Sequence, residues 1–338
     1  MARLVNANSN EILFTGSATE SINLTLMGLA FAQQDSGKVI ITSPTEHEAV
    51  IETTQHLTQQ RRQSVLFLPV DKRGHIPVDV LKETLSTTQT VVVALMYANN
   101  EIGTVHPIRL ISDMAHRVGA LMCVDATQAI GKIPVDVQQD GIDLMAFSAH
   151  KMYGQKGVGA LYIRGGAKSI TLEPLIVGGG QECGLRSGTL NVPGIVGFGE
   201  ACRLAKEEMA EESGRVSTLR DSLERSLLAR LDDVTINGDQ IHRLPNTTNI
   251  MFRGVDARTL IRDMHCIAVS TKSACSSHTS GPSHVLKAIG LTDDEAYSSI
   301  RFSLGHFTTE EDIDFTIERV VASVKKLRHM NSAYAGSG

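Results

Sequence analysis

"AFSAHKMYGQKGVGALYI", residues 146–163, leaves an apolar run, passes through Ser148, His150 and Lys151, and enters a second apolar run. A lysine at the edge of a buried segment must either carry its ammonium out to water or use its amine chemically, because an unpaired buried cation is costly. Outward from this stretch the same texture recurs. Short apolar, β-branched runs occur at "KVIITS" (38–43), "SVLFLPV" (64–70), "TVVVALMY" (90–97), "ALMCVD" (120–125), "DLMAFS" (143–148) and "VGALYI" (158–163). Between them lie helix-like stretches near 18–33, 46–60, 77–86 and 108–118. Runs that are apolar throughout indicate strands covered on both faces. Their alternation with helices indicates an α/β protein with a mostly parallel sheet flanked by helices.

From about 199 to 230 a long helical pattern carries "KEEMAEESGR", and after it the texture changes. We expect a large domain over 1–230 and a smaller C-terminal α/β domain over 231–338, with strands near 246–252, 267–270 and 299–304 and a closing helix from about 309. The 338 residues suffice for one large core and a smaller one. A formal charge of −5 disfavours a broad basic nucleic-acid grip, so no direct nucleic-acid contact is expected. No apolar run is long enough to span a bilayer, and the start "MARLVNANSN" lacks a secretory signal pattern. The five cysteines, at 123, 183, 202, 266 and 275, are odd in number and without a CxxC pair. That spacing points to a reducing, cytoplasmic setting rather than a disulfide framework, and it does not suit zinc.

Polar groups gather where the apolar runs end, which is where parallel sheets place their ligands. Asp125 follows "LMCV", Asn99 and Asn100 follow "VALMYA", and Ser148, His150 and Lys151 follow "DLMAF". "FTGSATES" (14–21) marks a strand end turning into a helix, whose free N–H groups attract anions; the same serines and threonines would serve equally as caps. Neither a P-loop nor a GxGxxG pattern is present. An anion cradle, a carboxylate and a lysine at strand ends form the set that pyridoxal phosphate requires.

The motifs "FTGSATESINL", "TEHEAV", "NNEIGTV", "VDATQAIGKIPVD", "DLMAFSAHKMYGQKGVGALY", "RSGTLN", "SACSSH" and "SSIRFSLGHFTTEEDID" resemble those of the NifS/IscS group of cysteine desulfurases. These are dimeric class V members of the fold-type I pyridoxal-phosphate enzymes. The likeness runs from residue 11 to about 328. It implies that Lys151 carries the cofactor, that Asp125 faces the pyridine nitrogen and that His47 stacks on the ring. Ala18, Thr19, Ser148 and His150 correspond to the phosphate site, with Thr189 reaching the phosphate of the opposite subunit. Gln128 and Asn100 match residues near the phenolic oxygen. Asn100 and Arg301 match the groups that meet the substrate carboxylate, a task suited to arginine's bidentate geometry. Cys275, set among small polar residues, corresponds to the persulfide-forming thiol, and Lys272 could favour its thiolate.

The resemblance thus implies turnover of L-cysteine to L-alanine, a homodimer, and a sulfur-acceptor protein such as a scaffold or carrier. Cys123, Cys202 and Cys266 are expected to pack, while Cys183 lies in a glycine-rich loop and is expected to be accessible. Two departures stand out: "SGAT" of the family reads "GSAT" here, and the glycine of "GSAC" is Lys272. The family also carries several tens of residues before the segment matching "EILFTGSATES", including part of the active-site wall. The alternatives are a selenocysteine or cystine lyase, another class V enzyme, or a non-catalytic scaffold.

Overall fold

A computed structural model describes residues 1–33, 37–271 and 281–335, with side chains as far as 330. These residues fall into two compact units. The first comprises Met1–Val70, Ile76–Asn99 and Val105–Met209, and the second Asp71–His75, Asn100–Thr104 and Ala210 onward.

The first unit follows the expected alternation. In chain order it contains β1 (Ile12–Thr15), α1 (Ala18–Ala32), β2 (Val39–Thr42), α2 (Glu48–Arg61), β3 (Val65–Phe67), α3 (Val78–Thr87), β4 (Thr90–Met96), α4 (Ile108–Arg117), β5 (Leu121–Asp125), β6 (Leu144–Ser148) and β7 (Gly159–Ile163). The strands form one sheet in the order β1-β7-β6-β5-β4-β2-β3. Pairing is parallel from β3 through β6 and antiparallel on both sides of β7. That reversal has a simple cause. Residues 149–158 are too short a link for the helical crossover a parallel neighbour needs, so the chain turns straight back.

Every residue of β4, β6 and β7 is buried, as expected of strands covered on both faces. Leu26 and Leu29 of α1 pack with Val92, Leu144 and Leu161 of the sheet in a continuous apolar core. Each such side chain stabilises the fold by about 1.5–3 kcal/mol on burial.

The second unit adds β8 (Val234–Asn237), β9 (Thr247–Phe252), α6 (Ala257–Asp263), α7 (His284–Ala288), α8 (Asp293–Tyr297), β10 (Ser299–Ser303) and α9 (Glu310–Ala335). They follow the long helix α5 (Val192–Arg230), whose last part belongs to this unit. Its sheet is antiparallel in the order β10-β9-β8, and its core includes Leu223, Ile250, Phe252, Ile300 and Val320.

The strand expected at 267–270 is only an isolated bridge between Ser270 and Arg301. Cys266 is correspondingly exposed rather than packed, because it lies on the turn that follows α6 instead of on a strand face. Cys123 and Cys202 are buried, and Cys183 is exposed.

Candidate active site

β5 and β6 are parallel neighbours, with Asp125 in register with Ala146. Asp125 therefore leaves the same sheet edge as Ser148, and His150 and Lys151 follow immediately in a short 3-10 turn. Lys151 is exposed, whereas the Asp125 side chain is buried. One Asp125 oxygen, Oδ1, accepts the Thr127 N–H at 2.9 Å.

The N-terminus of α1 comes to this edge by close contact. Ser17 caps the helix by accepting the Glu20 N–H at 3.2 Å, and the Ala18 N–H donates to Ser148 Oγ at 2.7 Å. Because Ser148 accepts there, its own hydroxyl proton is available for an anion. Thr19 adds an exposed hydroxyl in the first turn. Gly159 makes the approach possible, since a Cβ there would lie 2.6 Å from the Ser17 carbonyl carbon. Partial burial, then the charges of Lys151 and Lys156, lower the His150 pKa.

His47 caps α2 by accepting the Ala49 N–H on Nδ1 at 3.0 Å, which assigns the neutral ring's proton to Nε2. Gln128 accepts Lys132 Nζ on Oε1 at 2.8 Å, so its amide N–H groups point elsewhere. Thr189 is exposed at the end of a glycine-rich loop that Gln181 ties down by accepting the Gly188 N–H at 2.9 Å.

In the second unit, β10 places Arg301 in register with Asn249 of β9. Arg301 Nη1 donates to the Asn100 carbonyl at 2.8 Å, and its Nε is buried without an acceptor among the described residues. Burial pulls this arginine below its usual pKa range, and the charge of Glu101 opposes that pull. Lys272 and Cys275 lie outside the described residues.

The class-V aminotransferase family profile matches residues 1–315. A cysteine desulfurase IscS of Anaeromyxobacter sp. (strain Fw109-5) is 46% identical over 334 residues, covering 99% of this chain and 82% of the relative. The cysteine desulfurase IscS of Escherichia coli O139:H28 (strain E24377A / ETEC) is 47% identical over 331 residues, covering 98% and 81%. A solved structure described as a NifS-like protein superposes with a TM-score of 0.87 at 36% identity, covering 96% of this chain and 85% of that one. The chain belongs to the class-V aminotransferases. Within that family it is a cysteine desulfurase that depends on pyridoxal phosphate.

The residues of this desulfurase fit the cofactor. An anion cradle of Ser148 and the α1 N-terminus, a buried carboxylate and an exposed lysine amine leave one sheet edge. Thr127 Oγ1, two residues on from Asp125, is a buried polar atom with no hydrogen-bond partner among the described residues.

Two buried acids escaped the sequence reading. Glu46, inaccessible to solvent, accepts from Ser43 Oγ at 2.9 Å. Its pKa is raised well above the usual carboxylate value, by burial first and also by the charge of Asp125, against the lowering effect of the Ser43 hydrogen bond. Glu101 is the other. Each adjoins a residue singled out in "TEHEAV" or "NNEIGTV", and an acid next to such a residue is a signal the sequence does offer. Cys123, by contrast, is inert: burial first, then Asp125, push its thiol pKa far up.

Proposed function

We propose that this desulfurase uses Lys151, His47 and Cys275 as its working groups on L-cysteine, transferring the sulfur to Cys275 as a persulfide and releasing L-alanine. The reading rests on one observation above the others: a buried carboxylate, Asp125, and an exposed lysine, Lys151, follow neighbouring parallel strands. Pyridoxal phosphate, when bound, supplies the electron sink for cleavage at the substrate's α-carbon. Ser148, Thr19 and His150 hold its phosphate, with the Ala18 N–H serving indirectly by fixing Ser148. Asp125 keeps the ring nitrogen protonated. Its Oδ1 is oriented by the Thr127 N–H.

Lys151 Nζ carries the α-proton, and His47 Nε2 is the ring nitrogen free to hold a proton, since Nδ1 is engaged at Ala49. Arg301 and Asn100 hold the substrate carboxylate, and Gln128 donates its amide N–H toward the cofactor's phenolic oxygen. The Cys275 thiolate takes the substrate sulfur, so that cysteine and a thiol become alanine and a persulfide. Thr189 serves the second subunit of a homodimer. The persulfide then passes to an acceptor protein in the cytoplasm, for iron–sulfur cluster assembly or thiolation of tRNA, DNA or cofactors.

The test is release of alanine and sulfide from L-cysteine with added cofactor and a reductant, beside Lys151→Ala and Cys275→Ala. Turnover lost in both variants supports the reading. Sulfide release at the parent rate by Cys275→Ala would replace the persulfide route with a lyase.

A further inference from the structure

The stretch Asn100–Thr104 belongs to the second unit and is woven into it beside Arg301. The Asn100 carbonyl accepts Arg301 Nη1 at 2.8 Å. The Glu101 carbonyl accepts Nδ2 of Asn249, the register partner of Arg301, at 3.3 Å. The Gly103 carbonyl accepts the Leu244 N–H at 2.8 Å. Glu101 is 1% exposed, and its Oε2 accepts Ser283 Oγ at 2.5 Å. Ser283 in turn caps α7 by accepting the Leu286 N–H at 3.2 Å.

A buried carboxylate is tolerated only with hydrogen bonds and an opposing charge. Ser283 supplies a hydrogen bond and Arg301 an opposing charge. Arg301 itself donates one side-chain hydrogen bond among the described residues, to a carbonyl, so no carboxylate among the described residues grips its fork.

We infer that Glu101 is a positioning residue for Arg301: its buried carboxylate, fixed by Ser283, balances the guanidinium and sets how tightly that arginine holds the carboxylate of an amino acid. The inference rests on the reading of Arg301 as the carboxylate-binding residue. Glu101 competes electrostatically with the incoming carboxylate, so the site holds substrate and product moderately and lets alanine leave. Without that charge the arginine would hold both more tightly.

The experiment uses the holoenzyme and equilibrium calorimetry with two probes, L-alanine and L-alaninamide, which differ only in the carboxylate. In Glu101→Gln the amide oxygen still accepts from Ser283 while the charge is gone. Its affinity for L-alanine should rise about five- to tenfold, up to 1.4 kcal/mol for the full tenfold, with that for alaninamide unchanged. Steady-state kinetics should show a matching fall in KM for L-cysteine and a lower kcat. Arg301→Ala should erase the preference for L-alanine over the amide. If it keeps that preference, the reading of Arg301 fails and the inference falls with it. If Arg301→Ala erases the preference but Glu101→Gln matches the parent within about twofold, Arg301 keeps its role and Glu101 is only a tether for the α7 cap.

Discussion

Gly159→Ala tests the approach of α1 to the sheet with the least chemical change available. The added Cβ would sit 2.6 Å from the Ser17 carbonyl carbon and 2.7 Å from its Cα, with the Ala18 nitrogen at 3.0 Å. All three are backbone atoms and cannot rotate aside. Reaching the 3.4 Å of ordinary contact requires the helix start to retreat by about 0.8 Å. Applied to the Ala18 N–H to Ser148 Oγ hydrogen bond, now 2.7 Å, the same retreat leaves it near 3.5 Å, at the limit of a useful bond. Overpacking should therefore cost about 1–3 kcal/mol of stability. The loosened cradle should weaken pyridoxal phosphate binding by roughly tenfold, the equivalent of one hydrogen bond of about 1.4 kcal/mol. Urea melts of the cofactor-free protein read the first quantity and quenching of protein fluorescence by added cofactor reads the second. A variant as stable as the parent, with unchanged cofactor affinity, would refute the close-approach argument.

Other outcomes follow from individual groups. Glu224→Ala should cost about 1–3 kcal/mol in a denaturant melt, because Arg243 loses its buried partner at 2.5 Å and keeps only the half-exposed Asp221 at 3.2 Å. Thiol labelling of the native protein should modify Cys183 and Cys266 but spare Cys123 and Cys202, which are buried. Burial pushes the Cys202 pKa up to about 11, so near pH 8 only on the order of one molecule in a thousand carries its thiolate.

Asp239 gives an acid-side prediction. Burial raises its pKa, but the Ile241 N–H, His75 and the His242 N–H together outweigh burial and bring it down to about 2. Its contribution is therefore complete above the unfolded value of about 4 and is lost as pH falls toward about 2. Asp239→Asn should flatten that part of the stability profile, measured by urea melts between pH 5 and 2.

The sequence disclosed most about the sheet of the first unit, for a physical reason. Strands buried on both faces leave no polar position to blur the pattern, so β4, β6 and β7 stand out as apolar runs. The cradle was readable from Ser17 and the strand end before it. The antiparallel turn of β7 was present in the shortness of 149–158 but carries no residue-type signature. Less was legible where structure depends on distant partners. "CIAVS" has strand propensity, yet only Ser270 finds a bridge, so Cys266 is left on the surface. Glu46 and Glu101 look like ordinary surface acids until the Ser43 and Ser283 hydroxyls, one nearby and one far along the chain, are seen on them.

The membership of Asp71–His75 and Asn100–Thr104 in the second unit bears on how the molecule is made. These stretches leave the ribosome long before the residues they serve. His75 must wait for Asp239, Gly103 for Leu244, and Glu101 for Ser283. Such long-range closure slows folding, and the waiting segments stay solvated meanwhile. A gene fragment encoding only 210–338 would lack all three partners, so the smaller unit is not a module that can be cut out and moved.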